Sequence, residues 1–189
     1  VKVTYPGDGN YTADTFDGTL VVSKVVSNVT LNVTSSIEVG DDAVINITME
    51  PAINGIVTLT VGDDTYDVIV KNGVASYTVP GLSKGSYPVT VTYAGDAMYA
   101  ANVTTSSIVV SKKDDYDFNI TLVPGENGTV TVVINAPVDA TGDVVIFVDD
   151  DTPVSVPVTS GSYVVTGLTP GNHTINATYD GDDKYGPAE

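Results

Sequence analysis

The sequence contains no cysteine, tryptophan, arginine or glutamine, and its only histidine is His173. Without cysteine the chain has no disulfide, no thiol nucleophile and no thiolate metal site. Its seven basic residues are all lysine and stand against 24 Asp and Glu, which gives a net charge of -17. Because phosphate backbones and anionic lipid surfaces repel such an acidic chain, we expect no nucleic-acid partner and no binding to a membrane surface.

Long apolar runs are also missing, since the longest cover only a few residues, as in Val144–Val148. No stretch is long enough to insert into a membrane, and the first residues do not have the pattern of a signal peptide. The chain is nevertheless 42% hydrophobic, mostly Val, Ile and Tyr, which is not the composition of a disordered protein.

In several runs of the sequence, every second residue is apolar, as in Ala43–Met49, Val57–Val61 and Val130–Ile134. Turn residues such as Gly, Asn and Asp separate these runs, and no window carries an apolar stripe at period 3.6. Val, Ile and Thr are stiff at χ1 and fit a pleated surface better than a helix. The pattern predicts an all-β fold.

A motif, Tyr-x-Gly-Asp-x-x-Tyr, occurs three times and indicates an internal repeat. Its glycines are 88 and 86 residues apart, and a second motif, Gly-Leu-x-x-Gly, begins at Gly81 and again at Gly167. We interpret the first motif as a structural turn, and the alternative is a loop tip that touches a sugar or a partner domain. Its members are Tyr5, Gly7, Asp8, Tyr11; Tyr93, Gly95, Asp96, Tyr99; and Tyr179, Gly181, Asp182, Tyr185.

Each period of the repeat holds about seven short predicted strands, which is typical of an immunoglobulin-like sandwich. The fold prediction is therefore all-β, with tandem immunoglobulin-like β-sandwiches of about seven strands each. Tyr87 stands where such folds carry a corner tyrosine that bonds back to the backbone, and His173 stands at the matching place of the second unit. The predicted strands are 29–35, 43–49, 55–61, 65–71, 74–79, 86–93 and 103–111, then 117–122, 129–135, 143–149, 153–158, 161–166 and 172–179.

The three copies of the tyrosine motif and the two Gly-Leu-x-x-Gly corners resemble the immunoglobulin-like repeats of bacterial and archaeal surface proteins, especially the adhesin-like proteins of methanogens. The resemblance covers nearly the whole chain. It implies a stalk or display module at the cell surface. The partners we expect are neighbouring repeats or other copies of the chain, with cell-surface glycans or other cells as the partners of a ligand-binding adhesin module, which is the alternative function.

The frame of the repeat does not coincide with the ends of the chain. Aligning the third motif on the first places Tyr185 on Tyr11, so residues 16–25 match the strand that would follow Glu189. The predicted organisation is residues 1–25 as the end of a preceding repeat or a donor strand G, 26–112 as the first domain, and 113–189 as a second domain lacking its own strand G. Either the fragment is out of frame with a tandem array, or strand 16–25 completes the second sandwich of another molecule and builds a filament.

The sequence contains no arrangement that predicts catalysis. The single histidine sits at a predicted corner, and Asp pairs in solvated turns have no reason for shifted pKa values. The run Gly81–Gly85 fits Gly-x-Ser-x-Gly, but a strand follows it where a nucleophile elbow requires a helix. We predict that the chain is not an enzyme. A carbohydrate-binding accessory domain of a wall hydrolase is a further alternative.

Asp outnumbers Glu by 20 to 4, and many Asp residues come in pairs within predicted turns. Calcium takes six to eight oxygen ligands, which carboxylates on neighbouring turns can supply. The sequence therefore suggests a calcium site at the junction of the two domains, although Asp also favours turns for its own backbone bonds. The candidate ligands are Asp41, Asp42, Asp63, Asp64, Asp114, Asp115, Asp182 and Asp183.

Nine of the twelve asparagines begin an Asn-x-Thr sequon, far more than chance predicts. Such acceptors belong on exported glycoproteins, so we expect N-linked glycans and an extracellular location at the cell surface. The alternative is that Asn-x-Thr simply places two polar side chains on one face of a strand. The sequon asparagines are Asn10, Asn28, Asn32, Asn46, Asn102, Asn119, Asn127, Asn172 and Asn176.

Overall fold

The computed structural model describes residues 1–149 and 151–189, and Asp150 lies outside the described residues. Across those residues, no helix is long and apolar enough to cross a bilayer. The chain begins with a hairpin in which β1 (Lys2–Tyr5) pairs antiparallel with β2 (Asp14–Asp17). All eight residues of the two strands are exposed, so this hairpin stands outside any core.

The next eight strands build the first sandwich, with β3-β5-β8 as one sheet and β4-β10-β9-β6-β7 as the other. Every pairing is antiparallel except that of β4 with β10, which run parallel. The bounds are β3 Thr30–Val33, β4 Ser36–Glu38, β5 Ala43–Thr48, β6 Gly55–Val61, β7 Asp64–Val70, β8 Val74–Val79, β9 Gly85–Tyr93 and β10 Asn102–Ser111.

Alternating side chains from these strands meet between the two sheets and form the first core. Ile45 on β5, Leu59 on β6 and Ile108 on β10 are each 0% exposed. Residues at odd positions of β5 point inward while those between them face solvent, as period-two alternation requires. Strand β10 supplies Ile108 and Val110 to this core, so the first sandwich is closed by its own last strand.

The second sandwich is smaller, with β11-β12-β15 as one sheet and β14-β13-β16 as the other. A short 3-10 helix, Val158–Ser160, connects β14 to β15. The second core is separate from the first and includes Val132, Val144 and Tyr179. The bounds are β11 Asn119–Pro124, β12 Val130–Asn135, β13 Asp143–Val148, β14 Val154–Pro157, β15 Ser162–Val165 and β16 Ile175–Tyr179.

The structure confirms the all-β prediction and most predicted strands to within a few residues. Two segments differ. The single strand expected over 29–35 is two strands, β3 and β4, which belong to opposite sheets. The strand expected over 16–25 is observed only as Asp14–Asp17, and residues 18–24 belong to no strand.

The two predicted corners make the same contact. The hydroxyl of Tyr87 donates to the carbonyl of Ser83 at 2.9 Å, four residues back. In the second sandwich, Nε2 of His173 lies 2.8 Å from the carbonyl oxygen of Thr169, also four residues back. The corner prediction is confirmed, with an imidazole N–H replacing a phenol hydroxyl in the second unit.

Candidate functional site at the junctions between repeats

The Tyr-x-Gly-Asp-x-x-Tyr turns have one local geometry in all three copies. In the second, the carboxylate of Asp96 accepts from the backbone N–H groups of Met98 and Tyr99 at 2.7 and 2.6 Å. Asp8 and Asp182 accept two N–H groups at the corresponding positions. Each turn is therefore held by its own Asp, a geometry that fits the structural interpretation of this motif.

Glycine is required at the third position of the motif. Gly95 has φ +83°, a left-handed conformation that side chains disfavour. A Cβ there would lie 2.8 Å from the backbone nitrogen of Ala101, and one at Gly181 would lie 2.5 Å from the carbonyl oxygen of Tyr185. The turn closes so tightly on itself that no other residue fits.

Two of the turns bind the segment that leads into their own domain. The N–H of Val25 donates to the carbonyl of Met98 at 2.8 Å, and the N–H of Ala100 donates back to the carbonyl of Val25 at 2.8 Å. Val25 thus forms a parallel bridge with Tyr99, the last residue of the second motif.

The linker between the sandwiches repeats this pairing one period later. The N–H of Lys113 donates to the carbonyl of Lys184 at 2.8 Å, and the N–H of Gly186 donates to the carbonyl of Lys113 at 2.9 Å. Lys113 therefore bridges Tyr185 as Val25 bridges Tyr99. Sequence reasoning missed this contact, because a backbone pairing across 70 or more residues leaves no pattern in the side chains.

Side chains reinforce the second junction. The ring of Tyr185 packs against that of Tyr116, with centroids 4.9 Å apart, and its hydroxyl donates to Asp139 at 2.7 Å. Lys184 donates to the same carboxylate at 2.5 Å. The Lys184 ammonium and then the Tyr185 hydroxyl hold the pKa of Asp139 below its ordinary value.

The first tyrosine of each motif interacts with the motif's Asp. Burial, and then the bond to Asp96, raise the pKa of Tyr93 to about 12. Burial acts to raise the pKa of Asp182, but backbone N–H groups of Tyr185, Thr141 and Lys184 outweigh it and hold that pKa far below its ordinary value. Both shifts favour the charged form of the Asp inside its turn and the neutral form of the tyrosine beside it.

The acidic residues predicted as calcium ligands do not converge. At the junction, Asp41 and Glu38 face the ammonium of Lys113 at 3.9 and 3.8 Å. Asp182 is bonded to the backbone of its own turn and to Thr141. Among residues 1–149 and 151–189, no three acidic or histidine side chains lie close enough to hold a metal ion. Calcium at the junction stays a prediction, and the described geometry gathers no ligand set for it.

Eight of the nine sequon asparagines are exposed, and Asn102 is half-buried. Asn32 and Asn46 lie directly opposite each other on β3 and β5. The side-chain amide of Asn102 donates to the carbonyl of Ser27, and that of Asn28 donates to Glu50 at 2.8 Å. The sequons therefore differ in whether their amide nitrogen is free to react.

The two sandwiches differ at the edge of their last paired strand. In the first, β10 covers β9, and Val89 on β9 is 0% exposed. In the second, the edge of β16 pairs with only one residue among those described, Ala188, which bridges Tyr179. A groove of about 730 Å³ runs along this edge, and its lining includes Phe118, Ile120, Ile175 and Ala177.

Comparison with solved structures gives likenesses over most of the chain. A two-domain fibronectin type-III segment of chicken tenascin is 14% identical with a TM-score of 0.43, covering 85% of this chain and 93% of that one. Fibronectin(III)-like modules of Clostridium thermocellum CbhA are 17% identical with a TM-score of 0.38, covering 85% and 90%. No curated protein matches the chain.

The family comparison agrees with the two sandwiches. The model for the bacterial Ig-like domain (group 3) matches the chain twice, over residues 29–111 and over residues 119–189. The first match contains β3 to β10, and the second contains β11 to β16. The chain belongs to the bacterial Ig-like domain (group 3) family, of which it carries two consecutive copies.

Proposed function

We propose that the chain is a non-enzymatic structural module, a stalk or filament subunit of an adhesin-like protein on the outer surface of a cell. The observation that carries the proposal is the repeated junction, in which Val25 and Lys113 bind the following turn through the same pair of backbone hydrogen bonds. Because this joint recurs, each repeat is attached to the next in the same way, as an extended array requires.

Export and glycosylation are part of the proposal. Their support is the exposure of eight sequon asparagines, which would carry sugars away from both cores. The finer assignment to adhesin-like proteins of the methanogen type rests on the three copies of the tyrosine motif. The expected partners are neighbouring repeats and other copies of the chain.

Small-angle X-ray scattering tests the rigid joint with a matched pair of variants. Lys113→Pro removes the N–H that donates to Lys184, whereas Lys113→Ala keeps it and removes only exposed ion pairs. We expect the wild type and Lys113→Ala to share one narrow distribution of interatomic distances, and Lys113→Pro to broaden it. A broad distribution for the wild type, or no change in Lys113→Pro, would contradict the spacer role.

Ligand binding through a loop tip is the second candidate. Tyr11 in the first turn is 70% exposed, whereas Tyr99 packs on the first core and Tyr185 is buried. The test is glycan-array binding by the whole chain and by Tyr11→Ala. Binding that Tyr11→Ala loses would favour this role, and no binding by the wild type would reject it.

A further inference from the structure

Three asparagines of the chain, Asn54, Asn72 and Asn127, are followed directly by glycine. An Asn-Gly pair can react with itself, because glycine has no Cβ to keep its backbone nitrogen away from the asparagine side chain. The nitrogen attacks Cγ and forms the new N–C bond of a succinimide ring. The bond from Cγ to Nδ2 breaks, and ammonia leaves with the proton of the glycine N–H. Water then opens the ring at either carbonyl and gives aspartate or isoaspartate.

The fold determines which of the three pairs can undergo this reaction. The glycine nitrogen and the side-chain amide must both be free to move toward each other. A hydrogen bond to either group has to break first, and the free energy of such local opening differs from one part of a structure to another. The hydrogen bonds of the three pairs therefore predict their relative rates.

The pair of Asn72 and Gly73 is protected through its glycine. Gly73 is buried, and its N–H donates to the carbonyl of Ile53 at 2.9 Å. Its carbonyl accepts from the N–H of Met49 at 2.6 Å, and a Cβ on Gly73 would lie only 2.6 Å from the carbonyl oxygen of Met49. The attacking nitrogen is therefore bonded and enclosed by backbone, although the side chain of Asn72 is exposed.

The pair of Asn54 and Gly55 is protected through its asparagine. Oδ1 of Asn54 accepts from the N–H of Asn72 at 2.9 Å, and Nδ2 donates to the carbonyl of Ala52 at 3.3 Å. Gly55 begins β6, where it pairs with Val70 of β7. Both ends of the side-chain amide are thus held, and the glycine beside it belongs to a sheet.

The pair of Asn127 and Gly128 has neither protection. Asn127 is exposed in the turn between β11 and β12. Within the described parts of the chain, its side chain and the N–H of Gly128 make no hydrogen bond. The carbonyl of Gly128 accepts from the N–H of Leu168 at 3.0 Å, so the glycine is held in place on one side while its nitrogen is free.

We propose that Asn127 is a covalent modification site, at which the folded chain converts asparagine to aspartate and isoaspartate through a succinimide with Gly128. The fold protects Asn54 and Asn72 from the same reaction. This proposal goes beyond the structural function and does not depend on it.

Modification at Asn127 affects both the sequon and the turn. Asn127 begins a sequon, and succinimide formation expels Nδ2, the atom to which an N-linked sugar is attached. Glycosylation and succinimide formation therefore compete for one side chain. Isoaspartate also inserts a methylene group into the main chain directly before Gly128, whose carbonyl binds Leu168.

Peptide mapping of the whole chain, produced without glycans, tests the proposal. The folded protein is kept in warm, mildly alkaline buffer and then digested under acidic conditions, and mass spectrometry follows the exchange of ammonia for water at each asparagine. We expect Asn127 to convert at least about tenfold faster than Asn54 or Asn72, because each of those pairs must first break hydrogen bonds. The same chain in urea is the control, where all three should convert at similar rates. Equal rates in the folded chain would overturn the proposal.

Two matched variants test the site by intact mass. Asn127 and Asn72 both have left-handed backbone, with φ +56° and +50°, so glutamine strains the two positions alike. Glutamine reacts far more slowly, because its longer side chain would have to close a six-membered ring. Asn127→Gln should abolish most of the mass gain of the folded chain, whereas Asn72→Gln should leave the gain unchanged. An unchanged mass gain in Asn127→Gln would overturn the assignment of the site.

Discussion

Leu20 and Ile108 occupy the same position of the repeat, yet Ile108 is 0% exposed and Leu20 is 73% exposed. The burial of a residue, and not its type, determines how much its truncation lowers the free energy of unfolding. Ile108→Ala should lower the free energy of unfolding of the first sandwich by about 2–5 kcal/mol, through lost burial and a cavity. Leu20→Ala should change it by less than about 0.5 kcal/mol in the monomer. Urea unfolding of the two variants at low protein concentration measures both values. A large loss of unfolding free energy in Leu20→Ala would contradict the exposure of this side chain.

Alanine substitutions at three turn glycines should destabilise the fold to different extents. Gly95→Ala combines left-handed backbone with a Cβ only 2.8 Å from a backbone nitrogen. Gly81 also has positive φ, but a Cβ there would meet nothing within 4 Å. We expect Gly81→Ala to lower the free energy of unfolding by about 1–2 kcal/mol through backbone strain alone. Gly95→Ala should lower it further, because the added Cβ also meets the backbone. Gly9→Ala, with no positive φ and open space, is the control and should be neutral. Thermal unfolding ranks the three variants by stability. Equal losses of stability in Gly81→Ala and Gly95→Ala would contradict the steric argument.

The ion pair of His173 with Asp149 makes the second sandwich sensitive to pH. Nδ1 of His173 lies 2.6 Å from a carboxylate oxygen of Asp149, and that contact raises the pKa of His173 above its ordinary 6.5. A raised folded-state pKa contributes stability that is complete below 6.5 and is lost as the pH rises through the folded value. We therefore expect the melting temperature of the second sandwich to fall as the pH rises from about 6 through the neutral range.

The first sandwich supplies the control for this titration. His173→Tyr places the residue of the first corner, Tyr87, in the second one and removes the titrating group. It should keep the corner bond to Thr169 and abolish the fall in melting temperature above pH 6. Because His173 is the only histidine, its NMR titration gives the folded pKa directly. A folded pKa at or below 6.5 would contradict the ion-pair argument.

The sequons should differ in occupancy if the native protein is glycosylated. Asn102 is half-buried and its amide nitrogen donates to the carbonyl of Ser27, so sugar attachment would break that bond. Asn32 and Asn46 are exposed on neighbouring strands and make no such bond in the described structure. We expect glycopeptide mass spectrometry of native protein to find sugar at several exposed sites and little at Asn102. An unmodified native protein would reject the glycosylation proposal.

The parts of the fold that the sequence predicts well are those with local patterns. Strands β6 and β8 begin and end at the predicted residues, because clean alternation is bounded by turn residues such as Asn72 and Gly73. The corner contacts of Tyr87 and His173 followed from the repeat alone. These features depend on a residue and its near neighbours.

The features that sequence reasoning missed depend on distant partners. The step from β3 to β4 occurs because β10 offers an edge to Ile37, a relation that no local pattern reveals. The pairing of Lys113 with Tyr185 uses only backbone atoms. Of the Asp residues predicted to gather at the junction, Asp41 lies near Lys113 and Asp182 is bonded within its own turn. Composition predicted their number but not their separation.

The parallel pairing of β4 with β10 has a mechanical consequence. The chain enters the first sandwich through β3, continues directly into β4, and leaves the sandwich directly after β10. Tension along the chain therefore pulls these two strands in opposite directions along their lengths. Parallel strands loaded in this way slide past each other, so their hydrogen bonds must break together and not one after another. The pairing of β4 with β10 therefore resists extension of the first sandwich by shear, close to where an applied load enters it and directly before the load leaves it.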